Sequence, residues 1–227
     1  MSKKSHEIYN ILFKEYPELH VVLKDVGVLD LESLMKNVYP ALIGVIVGQR
    51  ISFKRAKQIR KMLYTALGGT NFSRQDVENT QRQEIVELET WPIIKGLNEY
   101  LSTKDDDFLN SIDNIKMLKS LKGIGEWTIE STILSSMITK ECPENVDIFP
   151  SGDKFLQNAL NVLFSVEGEE KMTPVVVRKL TKRWAPYRGY VTWYLWRWFP
   201  EIRTKNIEKI YIHRKDEQTK ICFLNTK

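Results

Sequence analysis

Apolar residues recur three and four positions apart through most of the 227-residue chain, and no stretch sustains the strict alternation that a half-buried sheet requires. Such patterning folds mainly as α-helices. The first strong stripe is Tyr39, Leu42, Ile43, Ile46 and Val47, and the second is Ala56, Ile59, Leu63, Ala66 and Leu67, closed by Gly68-Gly69 as a C-terminal stop. A short connection from Gly48 to Ser52 joins them. Between 70 and 110 the pattern is more polar, with Trp91-Pro92 read as a breaker, a helix expected over Gly96 to Leu101, and the acidic triplet Asp105 to Asp107 expected as a solvated turn or helix start.

Further on, Ile112, Ile115, Leu118 and Leu121 mark one short helix and Trp127 to Met137 the next, separated by Lys122-Gly123-Ile124-Gly125. So tight a glycine link makes them a hairpin. Three more apolar faces follow: Leu156, Ala159, Leu160 and Leu163; Val177, Leu180 and Trp184; and Tyr187, Val191, Tyr194, Leu195 and Trp198. Pro174 and Pro186 are expected in the first turns of the last two helices. The tail from 206 to 227, with YIHR and ICFL, is the one place where a short strand pair is expected.

Composition narrows the function. With 42% hydrophobic and 28% charged residues the chain can bury a core unaided. Lys plus Arg exceeds Asp plus Glu by 34 − 29 = +5, which favours a polyanionic partner without requiring one. The two cysteines, Cys142 and Cys222, have no neighbour at C-x-x-C spacing, which argues against a disulfide framework, a structural zinc or a cysteine-ligated iron-sulfur cluster. MSKKSHEIYN lacks the apolar stretch of a signal peptide, and no run approaches the roughly 20 apolar residues of a membrane span. The expectation is a cytoplasmic protein with no membrane partner.

The most specific local motif is Leu121-Lys122-Gly123-Ile124-Gly125-Glu126-Trp127-Thr128. Two readings fit it. Glycines let a backbone approach a ligand closely, and the N–H groups of the following helix N-terminus favour an anion such as phosphate. Equally, the glycines could only serve the turn.

Together with IVGQRIS upstream and DIFPSGDKFLQNAL and WAPYRGYVTWYLW downstream, LKGIGEWT resembles the helix-hairpin-helix (HhH-GPD) DNA glycosylases with a catalytic Asp. Within them it is most similar to the AlkA-type branch, 3-methyladenine DNA glycosylase II, in its compact form without an N-terminal sheet domain. The match runs from about residue 38 to 198 with the motifs in order. It implies an all-α, two-lobed fold with the active cleft between lobes: residues 38–141 form one lobe, with the wedge and the hairpin. Residues 1–37 and 142–227 form the other, with the catalytic Asp and a C-terminal tail. It implies a monomeric, monofunctional enzyme, nucleoid-associated when bound to DNA, that starts base excision repair by hydrolysing N-alkylated purines, 3-methyladenine and 7-methylguanine, from double-stranded DNA that contains damaged bases.

The resemblance also implies roles. Gly123, Ile124, Gly125, Glu126, Trp127 and Thr128 would hold the DNA backbone, with a structural Na+ or K+ on the carbonyls of Lys119, Leu121 and Gly123 and no organic cofactor or catalytic metal. Asp153 would drive base release, Trp127 and Trp196 would line the base pocket, and Arg50 would be the wedge that fills the gap left by a flipped nucleotide. Bifunctional relatives carry a nucleophilic lysine where Trp127 stands, so no strand cleavage is expected.

The residues themselves leave alternatives open. Asp153 opens an expected helix, where capping alone favours Asp. Four of the six tryptophans fall in 184–198, so most must be core, and Trp127 is as compatible with core as with a pocket. Asp113, Glu144 and Asp147 are rival carboxylates, expected as exposed charges. The run Lys54, Arg55, Lys57, Arg60 and Lys61, like Arg178, Lys179, Lys182 and Arg183, is either a solvated face or a set of phosphate contacts. Ser131 stands where a family member can carry an aromatic pocket residue, and Arg50 is bulkier than the usual wedge. A glycosylase for oxidised or deaminated purines and a non-catalytic DNA-binding module are the alternatives.

Overall fold

The computed structural model describes residues 3–30, 37–80, 85, 88–164 and 172–204, with side chains to Pro200. The described residues form helices and turns only. In chain order the α-helices are α1 (Lys3–Glu15), α2 (His20–Val26), α3 (Val38–Ile46), α4 (Phe53–Ala66), α5 (Arg74–Glu78), α6 (Trp91–Leu101), α7 (Ile112–Met117), α8 (Glu126–Ser136), α9 (Lys154–Phe164), α10 (Pro174–Thr181) and α11 (Arg188–Thr204). None is long and apolar enough to cross a membrane.

Local chemistry explains most boundaries. The Ser52 side chain accepts from the Arg55 N–H to start α4, and Ser73 and Asp76 form a reciprocal capping box at α5. After α4, Gly68 and Gly69 take φ of 78° and 142°, where glycine has no steric penalty, and the Gly69 N–H returns to the Tyr64 carbonyl at 2.7 Å. Pro174 lies in the first turn of α10, as expected. Two expectations need correction. Trp91-Pro92 opens α6 instead of breaking the chain, because a first-turn proline forfeits no helical hydrogen bond. Pro186 lies ahead of α11, which starts only at Arg188. The expected strand pair at 206–227 lies outside the described residues.

The centre of the molecule is α3 packed along α8, with α6 also on α3 and α7 on α8. Around α11, α2 and α9 make the other large packing group. One contiguous apolar core includes Leu12, Leu42, Ile46, Leu118, Ile133, Leu160, Trp184 and Trp198. Of the four tryptophans in 184–198, Trp184 and Trp198 are fully buried while Trp193 and Trp196 are half-buried against the core, so fewer are interior than expected. Each indole N–H has an acceptor: Glu18 for Trp184, the Leu134 carbonyl for Trp193, Asp153 for Trp196 and Asp25 for Trp198. That satisfies the one polar atom a buried indole carries.

The segment 146–153 is fixed against α11 by a second device. Asp147 accepts the Arg188 backbone N–H at 3.1 Å and takes its guanidinium bidentately, both bonds at 2.8 Å. Asp147 is therefore a partly buried structural carboxylate and not the exposed charge expected from sequence. Gly189 makes the approach feasible, since a Cβ there would fall 2.3 Å from the Val146 carbonyl oxygen.

Candidate active site

Asp153 sits at the start of α9 with 8% of its surface exposed. Its Oδ1 accepts the backbone N–H groups of Phe155 at 2.7 Å and Leu156 at 3.2 Å, an N-cap arrangement. Its Oδ2 accepts the indole N–H of Trp127 at 3.0 Å and of Trp196 at 3.3 Å. Three residues far apart in sequence, on α8, α9 and α11, thus meet at one carboxylate. Four N–H donors fix its orientation, and both half-buried indoles converge on the same oxygen. Trp193 packs edge-on against Trp196 with centroids 5.3 Å apart.

Around this centre Ser151 accepts from Arg178 at 2.9 Å through Oγ and from Gln157 at 2.8 Å through its carbonyl. Arg178 is thereby engaged at the site's edge, while Arg183 lies 3.9 Å from Glu18. Glu130, one turn after Trp127 on α8, has its carboxyl pushed up to about 7, by burial first and then by Glu126, against the opposing pull of Lys119, Arg178 and Arg188. Ser131 is 3% exposed, and its Oγ is the one buried side-chain polar atom without a hydrogen-bond partner among the described residues.

The hairpin has the shape read from its glycines, with qualifications. Gly123 has φ of 87°, and a Cβ there would lie 2.6 Å from Ile93, so this glycine serves internal packing as well as the turn. Gly125 precedes α8 with no side-chain cap and open space where a Cβ would project. That leaves the first N–H groups of α8 without a capping side chain. Ile124 is 3% and Thr128 2% exposed, so both side chains belong to the interior and only their backbone could meet a ligand. Glu126 is exposed and pairs with Lys119 at 3.4 Å.

Arg50 is exposed in the turn between α3 and α4 at φ of 58°. A non-glycine residue in this region costs about 1 kcal/mol or more, a strain that clusters at functional positions. Ile51 and Phe53 beside it are also exposed, at 37% and 49%. Phe53 stacks on Phe155, two residues past Asp153, with centroids 5.5 Å apart. The sequence reading missed Gln49, whose amide donates to the Gly123 carbonyl at 3.1 Å and to Thr128 Oγ1 at 2.9 Å, joining the Arg50 turn to the hairpin. Its position inside IVGQRIS was visible; its partners were not. Asp113 is exposed and pairs with Lys116, and Glu144 is exposed, so neither approaches this centre through a described bond.

The expected cation ligands fit a monovalent ion only in part. The Gly123 carbonyl already accepts from Gln49 and the Leu121 carbonyl from the Ile124 N–H at 3.1 Å, leaving each one lone pair.

This fold is that of the helical DNA glycosylases. The structure matches Schizosaccharomyces pombe 3-methyladenine DNA glycosylase Mag1, solved in complex with abasic DNA, with a TM-score of 0.66 at 20% identity over 84% of this chain and 95% of that one. In sequence, the chain is 32% identical to Bacillus subtilis YfjP over 85 residues and 27% identical to DNA-3-methyladenine glycosylase 1 of S. pombe over 146 residues. Those stretches are 37% and 64% of this chain, and only 27% and 57% of the relatives' lengths. No family model matches.

Proposed function

We propose that the chain is a monofunctional DNA glycosylase that releases N-alkylated purines, 3-methyladenine and 7-methylguanine, from duplex DNA. The observation that carries this reading is the Asp153 carboxylate held by the indoles of Trp127 and Trp196. Similarity to 3-methyladenine glycosylases supports the substrate class.

The duplex is held by phosphate contact with the backbone of Gly123 to Thr128, at the positive end of α8. A Na+ or K+ on the carbonyls of Lys119, Leu121 and Gly123 would add positive charge there. Arg50 enters the stack as the damaged nucleotide leaves it, at a cost of about a few kcal/mol that is smallest for lesions that pair poorly. Trp127 and Trp196 offer π-faces that attract a cationic alkylpurine more than a neutral base. In the reaction the C1′–N bond breaks with its electron pair going to the purine, which departs neutral without needing a general acid. Asp153 stabilises the cationic sugar, and water adds to C1′ and passes its proton to the Asp153 carboxylate, which returns it to solvent, leaving an abasic site. Trp127 in place of an amine means no Schiff base and no strand cleavage. The cleft would lie between a lobe of residues 38–141 and a lobe of residues 1–37 with 142–227, and the enzyme would act as a monomer.

The test is release of free bases from methylated duplex DNA by the wild-type protein and by Asp153→Asn, with DNA affinity measured for both. Single-turnover release should fall by roughly 10²-fold or more in the variant while affinity changes less than about threefold. No release by a wild type that binds DNA well would reject the substrate assignment.

A further inference from the structure

A second feature of the molecule lies away from Asp153, on α4. Lys57, Arg60, Lys61, Tyr64, Thr65 and Gly69 line a hollow of about 490 Å³. Lys57, Lys61 and Thr65 are exposed at four-residue intervals, while Arg60 and Tyr64 form a second, half-buried row beside them.

The anomaly is Arg60. Its guanidinium is half-buried against α3, where Gly44 and Gly48 leave room for it: a Cβ on Gly48 would sit 2.9 Å from Arg60 Nη1, and one on Gly44 would collide with the Tyr64 hydroxyl. Among the described residues its guanidinium donates to the Gly44 carbonyl at a long 3.4 Å. Burial lowers its proton affinity, and Tyr64 offsets this only in part. Other partly buried arginines have better partners. Arg188 pairs with Asp147 and Arg74 with Glu78, while Arg178 donates to Ser151. No carboxylate of the described residues lies within 4.0 Å of Arg60, Lys57 or Lys61. A partly desolvated guanidinium is normally compensated by an anion, and this one, flanked by two lysines, meets none among the described residues.

We propose that this hollow is a phosphate-binding site for the DNA backbone, a second electrostatic contact in addition to the hairpin. It rests on the proposed action on DNA and names a surface that this action alone does not require. The hollow begins one turn after the Arg50 turn and extends along α4, whose 1.5 Å rise per residue makes Lys57 to Thr65 about 12 Å, room for two successive phosphates. Arg60 supplies the fixed fork that suits a phosphate, and Lys57 and Lys61 supply mobile charges on its rim.

The experiment is the salt dependence of binding to an undamaged duplex, followed by fluorescence anisotropy, for the wild type, Arg60→Gln and Lys57→Gln/Lys61→Gln. Each lost phosphate contact removes about 0.9 from the slope of log K against log salt. The double variant should therefore be shallower by up to about 2, and Arg60→Gln should bind about 5- to 10-fold more weakly with an undiminished melting temperature. Inorganic phosphate should compete only at ordinary ionic-strength concentrations, because the backbone is the ligand. Unchanged slopes in both variants, or specific competition by phosphate alone in the millimolar range or below, would overturn the proposal. A wild type that releases no alkylated base yet shows the slope change would reject the catalytic reading and leave this site standing.

Discussion

Asp153 divides its oxygens between two tasks, with Oδ1 capping α9 and Oδ2 receiving two indoles. Removing it should thus affect folding as well as chemistry. Asp153→Ala loses the cap and leaves two indole N–H groups unpaired, which should cost about 2–4 kcal/mol in denaturant unfolding. Asn can cap the helix or face the indoles, but its single carbonyl cannot do both, so Asp153→Asn should cost about 1–2 kcal/mol. Wild-type stability in both variants would show that the cap and the indole bonds contribute little. Ser131 should behave in the opposite way. Thr132 and Ser136 on the same helix donate to carbonyls four residues back, whereas the Ser131 hydroxyl is buried with no partner among the described residues. Ser131→Ala removes a desolvated group that returns nothing, so its melting temperature should be unchanged or higher.

At the scale of the element, the hairpin's two glycines make a discriminating pair. Gly123→Ala must both adopt positive φ and displace Ile93, and should destabilise the protein by about 1–3 kcal/mol. Gly125→Ala meets open space and should cost at most about 1 kcal/mol. Because that open space adjoins the uncapped start of α8, Gly125→Ala should weaken duplex binding several-fold, as anisotropy would register. A Gly125→Ala protein with wild-type affinity would mean the turn serves the fold alone. The helices on either side were legible in the sequence because their signals are local: a short apolar stripe, a glycine link and a first-turn proline. Trp91-Pro92 was misread for a related reason, since the same proline can end one segment or open the next, and only the packing of α6 on α3 decides.

For the whole molecule, acidity offers a global test. Glu130 has its carboxyl raised from 4.5 to about 7 in the fold, so the native state holds a proton that the unfolded chain has already lost between those values. Its contribution is fully present below about pH 4.5, declines as pH rises, and is gone above about 7. Glu130→Gln should flatten that part of the stability profile and gain on the order of 1–2 kcal/mol at pH 8, after allowance for solvent screening. An unchanged profile in urea titrations would exclude the carboxyl as its source. The site was legible only where a motif carried it: Asp153, Trp127 and Trp196 were named from sequence, and the structure brings them together. Asp147 was misjudged and Gln49 missed because their partners lie 41 and 74 or more residues away, a relation that periodicity cannot express. The two bonds of the Gln49 amide have one more consequence. They make a caliper of two turns: under the proposed function, the jaw that would grip phosphate and the jaw that would pry at the base stack would keep a set gap, so that where the strand is gripped would dictate which nucleotide is tried.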